Sequence, residues 1–323
     1  MIKFGVVGAG NIARKFIQDI KVVENAKVVA IASRSIDKAE AYKKEFNLDY
    51  AFSDYVALAE SDVVDAIYIA TPHNFHEEQS ILFMNHKKHV LCEKPIAVNK
   101  KQAEHMYRVA KENNVLLMEA MWMRFLPASK RVLEITKSKI FGEIKSIELS
   151  FCVPIGLNAP LEGRLLNPNL AGGSLLDVGI YPMSYLKYLV TDKITSIKAT
   201  AVKHKTGIDM YTEADVVFDN KLKTKAKIYS AFDRDFHNKA IIEYEKGTVI
   251  APSFFSGKEV IVNDKVEYYP FKSDGFEYQI ESFVKTLKND ELENDVMTHE
   301  ASLSVMELSD QIRREINLKY PFE

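Results

Sequence analysis

The chain has 323 residues, enough for two domains or one large one with an ample core. Its 47% hydrophobic and 27% charged residues are ordinary for a soluble globular protein, and a net charge of −2 gives no electrostatic ground for nucleic acid or an anionic membrane as partner. No apolar run approaches the ~20 residues of a membrane span. The N-terminus lacks the small-residue cleavage site of a signal peptide, and the only two cysteines, Cys92 and Cys152, sit in apolar strand-like runs; reduced core thiols in a cytoplasmic protein are expected.

From residue 1 to about 120, short apolar runs alternate with segments of helical period. The runs are "IKFGVV", "KVVAIA", "DAIYIA", "KHVLCE" and "NVLLME"; between them lie "NIARKFIQDIK", "SIDKAEAYKKEF" and "KKQAEHMYRVAKENN". Strands alternating with helices imply parallel pairing and a doubly wound α/β sheet. After "GEIKSIELSF" the texture changes to alternating strand patterns, among them "ITSIKATAV", "EADVVFD" and "KTKAKIYSAF". "KEVIVNDKVEYYP" reads as a hairpin turning at Asn263–Asp264. Helices over roughly 276–289 and 298–317 close the chain. A Rossmann-type domain over 1–120 and an α+β domain with an open, mostly antiparallel sheet over 121–323 are expected, the last helix returning to the first domain.

"VVGAGNIA" follows the first strand and opens the first helix as Gly8-x-Gly10-x-x-Ala13. In that context Gly8 permits the tight turn, Gly10 lets backbone approach a pyrophosphate, and Ala13 keeps helix and strand close. The unpaired N–H groups of the helix start, at Asn11 and Ile12, would face the phosphates. The second strand ends in Ser33, Arg34 and Ser35, without the carboxylate that accepts from a ribose 2′-hydroxyl at NAD-preferring sites. Arg34, with Ser33, Ser35 and Lys38 beside it, suits a 2′-phosphate instead, so NADP(H) is expected over NAD(H). In "VLCEKPIAV", Glu93 and Lys94 stand where an apolar strand stops at Pro95; a solvated turn lysine is the ordinary reading of such a residue.

With the glycine turn, "TPHNFH", "CEKP", "EAMWMRFLP" and "GGSLLDVGIYP" in this order, the chain resembles the glucose–fructose oxidoreductase/inositol dehydrogenase/MocA family, and within it the dimeric dihydrodiol dehydrogenase and NADP-dependent xylose dehydrogenase branch. The likeness spans essentially the whole chain. It implies a Rossmann domain followed by an open-sheet domain through which the protein forms a homodimer. It implies a cis peptide before Pro95 that turns Lys94 toward the nicotinamide and the substrate oxygen, with Glu93 beside the cofactor. Thr71, Pro72, Asn74 and His76 match positions lining the cofactor, although His73 stands where asparagine is common, which leaves the part of Asn74 open. Tyr181 would be the acid/base and Asp177 would orient the reacting hydroxyl or the lysine. Asp177 and Tyr181 share a face if one helix carries both; taken alone, an N-cap and a core aromatic would be the favoured reading. Trp122, Arg124 and Phe125 match the branch's substrate-pocket segment and Arg164 a second basic residue found there, while Trp122 and Phe125 also suit a hinge core. His73, His76 and Glu77 have no third ligand group with them, and no metal is expected.

The reaction so implied is hydride transfer between nicotinamide and a hydroxyl-bearing carbon of a small sugar, polyol or cyclic diol. A free tyrosine ionises near pH ~10, and a neighbouring Lys94 cation would favour its phenolate. Two other readings remain open: a non-catalytic NADP-binding sensor of the same fold, and an NAD-assisted glycoside hydrolase. Retention of both Lys94 and Tyr181 favours the dehydrogenase over the sensor.

Overall fold

Six parallel strands begin with β1 (Ile2–Val7), whose last four residues are buried because both faces of the sheet are covered. In the computed structural model, which describes residues 1–323, the chain divides into two compact units, Met1–Trp122 with Lys272–Ser302 and Met123–Phe271 with Leu303–Glu323. In the first unit β1 is followed by α1 (Asn11–Asp19), β2 (Ala26–Ala32), α2 (Ile36–Phe46), β3 (Tyr50–Phe52) and α3 (Tyr55–Glu60). Then come β4 (Ala66–Ile69), α4 (His76–Asn85), β5 (His89–Glu93), α5 (Lys100–Asn113) and β6 (Leu117–Ala120). The strand order is β3-β2-β1-β4-β5-β6, the order of a doubly wound dinucleotide-binding sheet. Direction therefore reverses between β1 and β4, and the crevice at their carboxyl ends is where such sheets bind ligands. β3 is an edge strand of three residues, too short to show a period in sequence.

An aromatic column ties this unit together. Phe16 of α1 stacks on Tyr68 of β4 at 3.8 Å, and Phe4 of β1 meets Phe16 at 5.5 Å and Phe283 at 5.6 Å. Phe283 belongs to α9 (Glu277–Lys288). Asp19, buried at the end of α1, accepts from the Phe276 N–H at 3.0 Å and from Ser273 Oγ at 2.9 Å, which fixes the entry to that helix.

The second unit is built on β7 (Ile144–Cys152), β8 (Ile194–Lys203), β9 (Asp209–Phe218), β10 (Lys225–Ala231), β11 (Lys239–Tyr244), β12 (Thr248–Pro252), β13 (Glu259–Val262) and β14 (Lys265–Tyr268). They form one sheet in the order β14-β13-β12-β11-β7-β10-β9-β8. Every pair is antiparallel except β7 with β10. The hairpin turns at Asn263 and Asp264, both with positive φ (45° and 65°), as a two-residue hairpin turn requires. The helices of this unit are α6 (Pro127–Ser138), α7 (Ser174–Asp177) and α8 (Ile180–Leu189), and α10 (His299–Glu315) contributes its residues from Leu303 onward.

One local expectation needs correction. Asp177 and Tyr181 do not share a helix: the chain breaks between α7 and α8 at Val178–Gly179. Pro182 has no N–H to give to the Val178 carbonyl, so the Tyr181 N–H takes it instead at 3.2 Å, one residue early. A Cβ at Gly179 would lie 2.6 Å from the Leu175 carbonyl oxygen, so the pinch needs glycine.

Candidate active site

The glycine turn closes on the end of β4. Gly8 has φ +100°, and a Cβ there would stand 3.0 Å from the Ala70 carbonyl oxygen. Gly10 caps α1 with extended backbone, and its side-chain position faces no atom within 4 Å. Backbone is therefore bare where a phosphate group needs close approach, and the first N–H groups of α1, from Asn11 and Ile12, have no partner from a capping side chain.

Gly8 and Gly10 line one end of a cleft of about 230 Å³. Ser33, Arg34 and Lys38 line it as well, with Thr71 and Pro72. Ser35 caps α2 by accepting from the Lys38 N–H at 3.4 Å, and Ser33 Oγ accepts from the Ser35 N–H at 3.3 Å. These bonds hold the turn after β2 so that two cations, Arg34 and Lys38, border the same cleft. The residues fit a dinucleotide carrying an extra phosphate: open glycine backbone for the pyrophosphate, two cations and a serine for the 2′-phosphate. Tyr55, Phe75 and Gln79 complete the lining, and sequence reasoning did not name them. The Arg34 guanidinium lies 5.8 Å over the Phe75 ring, and Thr71 Oγ1 donates to Gln79 Oε1 at 2.6 Å. The helical spacing of Phe75 and Gln79 after Thr71 was a usable signal; Tyr55 follows an edge strand without one.

The remaining residues of "TPHNFH" turn inward. His76 is buried, with Nδ1 2.9 Å from the Pro95 carbonyl and Nε2 2.9 Å from the Thr71 carbonyl. Burial drives its pKa down to about 4, so at neutral pH the ring carries one N–H and donates to one carbonyl at a time. Asn74 Oδ1 is buried without a hydrogen-bond partner.

Lys94 follows β5 and is joined to Pro95 by a cis peptide bond. Its loop is held from three sides. Glu93 Oε2 accepts from the Lys94 N–H at 3.1 Å, Glu119 Oε1 accepts from the Ile96 N–H at 3.1 Å, and His76 abuts the Pro95 carbonyl. Glu93 is itself buried, accepts from the Tyr68 hydroxyl at 2.5 Å, and is pushed by desolvation up to about 7. The structure thus engages Glu93 with protein groups, as a clamp on the lysine's backbone. Glu119 also accepts from Ser302 Oγ at 2.6 Å.

Trp122 lies in the first unit against Phe276 at 4.9 Å, with Lys15 Nζ 5.4 Å from its ring centroid. Arg124, in the second unit, is 3% exposed. Its Nε donates to Ser184 Oγ at 2.9 Å and Nη2 to the Ser184 carbonyl at 3.0 Å, so its guanidinium braces α8.

Within the second unit, Asp177 and Arg164 come together: Arg164 Nη1 lies 2.9 Å from Asp177 Oδ2, with the arginine half exposed. The loop that brings them together is fastened by the Gly173 N–H donating to the Leu165 carbonyl at 3.0 Å. Sequence reasoning named both residues without pairing them, because a contact across such a loop has no period. Tyr181, 8% exposed, meets Phe151 edge-on at 5.5 Å and Phe255 at 6.2 Å. Those two phenylalanines stack on each other at 3.7 Å.

A cleft lined by a glycine turn at the switch point of a parallel sheet in this strand order defines a dinucleotide-binding Rossmann unit. Residues 2–121 match the family model described as the oxidoreductase family with an NAD-binding Rossmann fold, and residues 129–250 match the GFO/IDH/MocA C-terminal domain. The chain belongs to the GFO/IDH/MocA oxidoreductase family. It is 33% identical to scyllo-inositol 2-dehydrogenase (NADP(+)) IolU of Bacillus subtilis, covering 99% of each chain. It is 29% identical to trans-1,2-dihydrobenzene-1,2-diol dehydrogenase of Danio rerio, covering 99% of this chain and 98% of that one. Among solved structures, KijD10, a 3-ketoreductase from Actinomadura kijaniata in complex with NADP and TDP-benzene, superposes with a TM-score of 0.87 at 26% identity over 98% of both chains.

Proposed function

We propose that this protein is an NADP(H)-dependent dehydrogenase acting on a hydroxyl-bearing carbon of a small sugar, polyol or cyclic diol. The observation that carries the reading is the cleft that bare glycine backbone, Ser33, Arg34 and Lys38 line together. The NADP-dependent inositol dehydrogenase and the dihydrodiol dehydrogenases among its relatives support the same cofactor and substrate class.

NADP(H), when bound, supplies or accepts the hydride at its nicotinamide. The chain's own residues bind, orient and move the proton. Arg34, Lys38 and Ser33 hold the 2′-phosphate by charge-assisted bonds, while the turn at Gly8 and Gly10 and the start of α1 at Asn11 and Ile12 hold the pyrophosphate. Thr71 and Pro72 form the wall, and Asn74 offers its unpartnered oxygen. Tyr181 exchanges a proton with the substrate hydroxyl, and the Lys94 cation stabilises negative charge on that oxygen. Asp177, fixed by Arg164, orients the hydroxyl; Trp122 contributes an apolar face to the substrate, and Arg124 serves it by holding α8. The protein is cytoplasmic and forms a homodimer through the sheet of its second unit, where Val202, Val266 and Tyr268 stand exposed.

The test is a panel of aldoses, inositols and cyclic diols assayed by NADPH absorbance with each cofactor. Turnover of at least one polyol with NADP⁺ is expected. No turnover across the panel by a protein that binds NADPH would transfer the reading to a cofactor-binding sensor.

A further inference from the structure

Strand β9 opens on a carboxylate that the reaction above does not use. Asp209 is wholly buried, and three donors converge on one of its oxygens. Oδ2 accepts from Ser174 Oγ at 2.6 Å, from the Leu175 N–H at 2.8 Å and from Thr212 Oγ1 at 2.9 Å. Two of those donors form the first turn of α7. Ser174 Oγ also lies 3.3 Å from the Ser230 carbonyl of β10, while Asp209 Oδ1 is buried without a partner.

One glycine of "GGSLLDVG", Gly173, is shaped to this carboxylate. Gly173 has φ +123°, and a Cβ on it would fall 2.2 Å from Asp209 Oδ1. No other residue lets the turn come so close. A Cβ at Gly172 would lie 2.7 Å from the Leu165 carbonyl oxygen, and the Tyr320 hydroxyl donates to the Gly172 carbonyl at 3.0 Å.

α7 has four residues, and a single turn fixes too few hydrogen bonds to hold itself. Its place must come from outside. Resting on the catalytic role proposed for Tyr181, we infer that Asp209 is a positioning residue for the reaction. Its carboxylate anchors Ser174 and Leu175, and through that turn it sets where Asp177 stands and where α8, which carries Tyr181, begins. Misplacing a reacting group by about 1 Å costs on the order of 10²-fold in rate, so the anchor should be visible in kcat.

The experiment compares Asp209→Asn, Thr212→Val, Thr212→Ser and Tyr181→Phe in one assay, with the substrate that the panel yields. Asp209→Asn keeps the shape and removes the charge on which the donors converge. It should lower kcat about ten- to a hundredfold and leave the Kd for NADPH unchanged. Thr212→Val keeps the shape and removes one donor, giving a smaller loss in kcat, and Thr212→Ser, which keeps the hydroxyl and drops the methyl, should recover it. A packing role would give the reverse order, serine worse than valine. If Asp209→Asn does not fold, the Thr212 pair decides alone. Wild-type kcat in folded Asp209→Asn, or serine as impaired as valine, overturns the inference. Full activity in Tyr181→Phe would remove the catalytic role of that tyrosine and the inference with it. An inactive Tyr181→Phe beside a fully active Asp209→Asn would remove the positioning role alone.

Discussion

Arg34→Ala is the sharpest test of cofactor choice. Arg34 is exposed at the end of β2 and its guanidinium lies 5.8 Å over the Phe75 ring, bordering the same cleft as Ser33 and Lys38. A charge-assisted bond to a phosphate contributes ~1.5–3 kcal/mol. Solvent access and the remaining Lys38 cation move the expected loss to the low end, about one factor of ten at ~1.4 kcal/mol. NADH lacks the 2′-phosphate and serves as the internal control. Titration of protein fluorescence with each cofactor should show the Kd for NADPH rising about tenfold in Arg34→Ala while that for NADH stays put. Arg34→Asp, which sets an anion against the phosphate, should reverse the preference. Raising the salt should weaken NADPH binding more in the wild type than in the alanine variant. Equal affinity of the wild type for both cofactors, or an alanine variant that loses both together, would refute the assignment of the 2′-phosphate to this turn.

Lys94→Met should fold as the wild type and still bind NADPH, with turnover falling by at least ~10²-fold; unchanged turnover would return the lysine to a solvated turn. Arg164→Ala removes a half-exposed partner of Asp177, so a thermal melt should move by no more than ~1 kcal/mol in stability while KM for the substrate rises; a melt displaced far more would make the pair a structural one. Glu93 is expected to show in the pH dependence of stability. Its folded-state pKa is raised from 4.5 to about 7, so the folded form binds the proton more tightly than the unfolded one. The contribution is fully present below the unfolded value and is lost as pH rises through about 7. Asp209, pushed by burial up to about 6, acts in the same direction. Urea midpoints of Glu93→Gln should therefore gain on the wild type between pH 5 and pH 8, by a few kcal/mol at most; a constant difference across that range would contradict the buried, clamping placement of Glu93.

The parallel sheet, the glycine turn and the hairpin at Asn263–Asp264 were determined by the sequence alone, because each rests on local physics. Alternating apolar runs and amphipathic segments imply parallel pairing in a doubly wound sheet, Gly8 must adopt a positive φ, and two residues of positive φ turn a hairpin. The set Ser33, Arg34 and Lys38 was legible for the same reason, being consecutive or one helical turn apart after β2. The three-residue β3 was not, since an edge strand so short carries no period. Tertiary structure decided what depends on contacts between distant residues. It broke the expected helix between Asp177 and Tyr181, where Pro182 withholds a donor and Gly179 admits the close approach of Leu175. It joined Arg164 to Asp177 across a loop, bound Arg124 to Ser184, and turned Glu93 inward to Tyr68. Above all it gave Gly173 of "GGSLLDVG" its reason, a carboxylate 35 residues away from Ser174 in the chain. A sequence shows that a glycine is tolerated; only the fold shows which atom would have struck the missing Cβ.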